Sequence, residues 1–135
     1  MSADIYWLVL TILITALMWV PYVLDSFFVR GIIPTMMYPG KEAPPLSGWA
    51  QRAKSAHYNA VENLVIFAPL VVVCHFYQSS LNMNAVAAAA MIYFFARLIH
   101  YIVYTLKIPF LRTLAFLAGW GVQIYLAYML LTSLS

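Results

Sequence analysis

The chain has 135 residues, of which 65% are hydrophobic and only 8% charged, with a mean hydropathy of +0.88. Such proportions exclude an ordinary soluble domain and point to a protein that lives in lipid. The net charge of +3 is no sign of a nucleic-acid partner, because in such a chain the placement of the basic residues carries the information.

Four apolar runs, over residues 5–29, 49–77, 84–104 and 109–134, each approach or exceed the ~20 residues that cross a bilayer. They predict an all-α integral membrane protein, a bundle of four transmembrane helices in a single domain over residues 1–135. The first run lacks the basic start and small-residue cleavage site of a secretory signal, so it is expected to be retained. Pro21 is placed to kink it, and Asp25 lies near its inner end, either at the interface or as a partner for a basic group. A loop over residues 30–46 follows, in which Gly31, Pro34, Pro39-Gly40 and Pro44-Pro45 forbid a long helix and predict a turn-rich cap.

The second run opens with its polar residues. Arg52, Ser55, Asn59 and Glu62 recur at steps of three and four and share one helix face. A carboxylate and amides at membrane depth are costly unless they face protein, a neighbouring chain or a polar ligand. Toward the other end, Cys74 matches no disulfide or metal pattern and reads as a small buried thiol; His75 beside it is assigned no role. The third run carries a stripe of Tyr93, Arg97, His100, Tyr101 and Tyr104. After a very short loop, Pro109 begins the fourth helix, where its missing N–H costs nothing. Arg112, Phe116, Gly119 and Gln123 then line one face.

Arg30, Lys41, Arg52 and Lys54 flank the first loop and Lys107 and Arg112 the third, whereas the second is uncharged. The positive-inside rule therefore places loops one and three in the cytoplasm and both termini outside. Alternating helix directions bring Asn59, Glu62, Arg97, His100, Tyr104 and Arg112 into the cytoplasmic half, a receptor for an anionic, polar molecule. Plainer roles fit the same residues. Glu62 and Arg97 read as a buried ion pair within the chain. His100 and Tyr101 fit interhelical hydrogen bonding, Arg112 and Lys54 snorkelling, and Tyr6, Trp7, Tyr77, Tyr125 and Tyr128 an aromatic belt.

The run from Arg52 to Asn63, with His57, Asn59 and Glu62, followed by Phe67-Ala68-Pro69, resembles the second-helix signature of the MAPEG proteins, the membrane-associated proteins of eicosanoid and glutathione metabolism. The likeness extends over nearly the whole chain: four spans, a Pro/Gly-rich first loop, Arg97-x-x-His100-x-x-x-Tyr104, and Arg112 after a short loop. It is nearest to the short bacterial members, which implies a multi-pass protein of the bacterial inner membrane. It also implies a homotrimer with glutathione as cosubstrate between adjacent subunits and an apolar or lipid-derived second substrate.

By that resemblance Arg52, Asn59, Glu62, Arg97 and His100 bind or support glutathione, while Arg112 and Tyr104 are catalytic, Arg112 stabilising the thiolate. His57 faces away and is structural. Ser55, Tyr58 and Phe116 depart from the arginines and tyrosine that some members carry at those positions. The implied activity is glutathione transfer to an apolar electrophile, or reduction of a lipid hydroperoxide. Two other classes fit: a non-catalytic, lipid-presenting protein of the same fold, and a small transporter coupled through Glu62.

Overall fold

The computed structural model describes residues 1–37 and 40–133. Six helices follow in chain order: α1 (Ala3–Leu17), α2 (Val20–Arg30), α3 (Ile32–Met36), α4 (Gly48–Phe76), α5 (Met83–Thr105) and α6 (Pro109–Ser133). α1 and α2 together make the first of four spans long and apolar enough to cross a membrane, and α4, α5 and α6 make the others. The described ends of these spans fall within two residues of the hydropathy reading. Pro39 of the expected loop and Leu134 at the end of the fourth run lie outside the described residues.

Proline explains the division of the first span. Pro21 has no N–H to offer the Leu17 carbonyl and its ring crowds that turn. The helix accordingly breaks at Met18-Trp19 and restarts at Val20. The Tyr101 hydroxyl on α5 donates to the Met18 carbonyl at 2.9 Å, holding the break against the bundle. α2 ends at Gly31, whose φ of +88° suits a residue without a Cβ.

The first loop contains α3 and is fastened to α2 at three points. Asp25 Oδ2 accepts from the Ser47 backbone N–H at 2.8 Å. Arg30 Nε donates to the Pro44 carbonyl at 2.7 Å. The Thr35 hydroxyl donates to the Ser26 carbonyl at 3.0 Å. The expected turn-rich cap is therefore an ordered structure with one helical turn in it, and Asp25 serves the entry of α4.

α4 buries a stripe of small residues, Ala50, Ala53, Ala56 and Ala60, at steps of three and four. Small side chains permit close backbone approach where lipid supplies no hydrophobic drive between helices. α5 packs against α1, α4 and α6 and is the most buried span. The core beyond the polar half is held by Phe67 stacked on Tyr93, centroids 3.6 Å apart and planes within 7°. Cys74 is buried there, as its apolar surroundings suggested. His75 Nδ1 lies 2.9 Å from Asp4 Oδ2, so the residue given no role in the sequence ties the start of α1 to the end of α4.

Candidate functional site

α5 and α6 are joined by a Schellman turn. The Lys107 N–H donates to the Tyr104 carbonyl at 3.1 Å and the Ile108 N–H to the Val103 carbonyl at 2.9 Å. Lys107 occupies the left-handed position with φ +63°, where glycine is the usual choice. This tight turn sets Tyr104, Lys107 and Arg112 around one opening. Arg52 of α4 closes it, with Nε donating to the Thr105 carbonyl at 2.9 Å. The resulting cavity of about 260 Å³ is lined by Arg52, Tyr104, Lys107, Ile108, Pro109 and Arg112.

A second cavity of about 210 Å³ shares Tyr104 and Arg112 and adds Asn59, His100, Thr113 and Phe116. The Arg112 guanidinium lies 5.0 Å from the Tyr104 ring centroid, a cation–π distance. His100 meets Tyr104 edge-on at 5.5 Å. Among the described residues no carboxylate lines either cavity. With three cations and no anion around it, the pair of cavities suits a negatively charged, acceptor-rich molecule.

Two expected site residues stand apart. Arg97 is 1% exposed and Glu62 faces outward; neither lines these cavities. The expected Glu62–Arg97 ion pair does not form. Arg97 Nη1 donates instead to Asn59 Oδ1 at 3.0 Å and Nη2 to the Phe116 carbonyl at 3.4 Å. Its guanidinium lies 5.5 Å from the centroids of both Tyr93 and Phe116. The reason is azimuth: neighbouring helical positions differ by about 100°, and α4 packs with Asn63 inward and Glu62 outward. Among the described residues the one side-chain ion pair is His75–Asp4, at the far end.

Behind Arg97, polar groups continue inward. Gln123 Nε2 donates to the Asn63 carbonyl at 3.1 Å and to Asn63 Oδ1 at 3.3 Å. Asn63 Nδ2 donates to the Asn59 carbonyl at 2.9 Å. His57 faces α2, hydrogen-bonded to Tyr22 at 2.9 Å, away from the cavities as expected. Lys107 is the charged lining residue that sequence reasoning missed, as it also missed Ile108 and Thr113: it counted only as a topological marker, although its place in a short basic loop was a usable signal. Two larger hollows of about 410 and 450 Å³ are apolar grooves along α5 and α6. They share no lining residue with the polar cavities.

The MAPEG family model matches residues 5–132, nearly the whole chain. The chain belongs to the MAPEG family. It is thus a MAPEG integral membrane protein with four apolar spans, and membership ties it in general terms to glutathione-related transferase and peroxidase-like chemistry at a membrane. Comparison with curated proteins and with solved structures gives no match.

Proposed function

We propose that this MAPEG protein is a glutathione-dependent transferase with peroxidase-like capacity, acting on an apolar electrophile or a lipid hydroperoxide. The observation that carries the reading is the gathering of Arg52, Asn59, His100, Tyr104 and Arg112 around two adjoining cavities at one end of the bundle. Glutathione carries two carboxylates and several carbonyl acceptors, and these walls offer cations and neutral donors. Arg52 and Asn59, with Lys107, grip the peptide portion. Arg112 stands beside the sulfur.

A free thiol has a pKa near about 8.5 and is mostly protonated at neutral pH, whereas the thiolate is the nucleophile. A guanidinium close to the sulfur favours the thiolate, and the Tyr104 hydroxyl serves as a hydrogen-bond donor to it. The thiolate attacks an electrophilic carbon, a C–S bond forms, and the displaced electron pair leaves with the leaving group. With a hydroperoxide, the thiolate attacks the terminal oxygen, an S–O bond forms as the O–O bond breaks, and the alkoxide leaves as the alcohol once protonated. The thiol of a second glutathione then displaces water from the sulfenic acid to give the disulfide.

The outward position of Glu62 within a span supports contact with another chain, since a lone carboxylate facing lipid is costly, and the family resemblance supports three copies. The basic first and third loops support placing those loops in the cytoplasm, and the resemblance to short bacterial members supports a bacterial inner-membrane setting. A binding-only role draws support from Ser55, whose hydroxyl turns back to the Gln51 carbonyl at 3.1 Å and adds no charge to the site. Calorimetry with glutathione on the detergent-purified protein, followed by transfer to a model apolar electrophile, tests both. Binding with turnover is the expected result. Binding without turnover favours the second reading, and absence of binding overturns both.

A further inference from the structure

A guanidinium is a donor at every nitrogen. The Asn59 atom that meets Arg97 Nη1 at 3.0 Å is therefore the carbonyl oxygen, and the amide has one permitted orientation. Its Nδ2 is left accessible, with no partner among the described residues. Asn59 stands in the wall of the cavity that contains Tyr104 and Arg112.

The lock is built closely. A Cβ at position 119 would lie 2.7 Å from Arg97 Nη2 and 2.9 Å from Nε, so only glycine lets the guanidinium occupy this place unmoved. Arg97 Nε is buried without a partner, a costly arrangement that persists while the other nitrogens join α4 to α6. The Asn59 backbone is fixed too, because its carbonyl accepts from Asn63 Nδ2.

We propose that Arg97 is a positioning residue that turns the Asn59 amide so that only N–H groups face the cavity, making this wall selective for an acceptor such as a carboxylate. This rests on the glutathione reading for the identity of the ligand and not for the lock itself. Arg97 acts through Asn59 and does not touch the ligand.

The test compares Asn59→Ala and Asn59→Asp with the parent in the full-length, detergent-purified protein. Binding of glutathione and of inorganic phosphate is measured, together with thermal unfolding. An aspartate keeps an oxygen toward Arg97 but presents a second, anionic oxygen to the ligand. The expected order of affinity is parent, then Ala, then Asp, with Asp weaker than the parent by roughly ten- to a hundredfold. Thermal stability should run differently, with Asp at least as stable as Ala. A merely structural role would move both readouts together.

Binding by Asp equal to or tighter than Ala overturns the proposal, as does an Asp variant less stable than Ala. If the parent binds phosphate but not glutathione, the proposed function fails while the phosphate affinities still decide the lock. If it binds neither, the donor wall is wrong as well.

Discussion

Arg112 and Asn59 stand in the wall of one cavity, yet their removal should have different effects. Arg112→Ala should lower glutathione turnover by about a hundredfold, the scale for deleting a donor at developing charge, with a much smaller change in binding. Asn59→Ala should mainly weaken binding. Thiolate absorbance of bound glutathione at neutral pH, read beside turnover, separates them. Unchanged absorbance and rate in Arg112→Ala would remove the thiolate role. Arg52, Asn59, His100, Tyr104 and Arg112, which line the cavities, were legible in the sequence because polar groups on apolar helices stand out, whereas Glu62 and Arg97 were grouped with them and lie apart. Their pairings were not legible. One helical step decides whether Glu62 or Asn63 faces inward, and the packing angle of α4 rather than its residue spacing sets that step. Gly119 was visible on the α6 stripe, but the need for it emerges only when Arg97 is placed against it.

Helix ends supply two further tests. Asp25 accepts from the Ser47 N–H at the entry to α4, so Asp25→Ala should cost about 1–2 kcal/mol in unfolding measurements. It should also loosen the first loop, raising its proteolysis. Lys107 holds a left-handed backbone at φ +63°, a conformation costing a non-glycine residue about 1–3 kcal/mol. Lys107→Gly should therefore raise stability, and should at the same time weaken glutathione binding by removing a cation from the cavity. A loss of stability would refute the strain argument; unchanged affinity would refute the binding role. Elements of this kind were well read from the sequence, since hydropathy and proline placement set the four spans and the start of α6. The direction of Lys107 was hidden because it follows from the turn's backbone.

At the scale of the molecule, topology and assembly can be tested together in a Cys74→Ala background. An impermeant thiol reagent applied to intact cells should label Ser2→Cys and spare Lys41→Cys. The reverse pattern would invert the orientation. Chemical cross-linking of the same protein in its membrane should give dimers and trimers if the exposed stripe of α4 faces another chain; monomers alone would leave it facing lipid. Neither arrangement can be read from one chain's hydropathy, because a face covered by lipid and a face covered by another apolar helix have the same composition.

The divided first span has a mechanical consequence. Its upper segment, α1, is clasped through Asp4 to His75, while its lower segment, α2, carries the loop through Ser26 and Asp25. The Met18-Trp19 break between them interrupts the helical hydrogen-bond ladder, and the Tyr101 hydroxyl holds it. Because α2 is itself tied to α4 through Tyr22 and His57, the freedom left by the interrupted ladder is confined to the turn around Met18-Trp19. Amide hydrogens from Trp19 to Val23 should exchange faster than those of α1, and Tyr101→Phe should widen that difference.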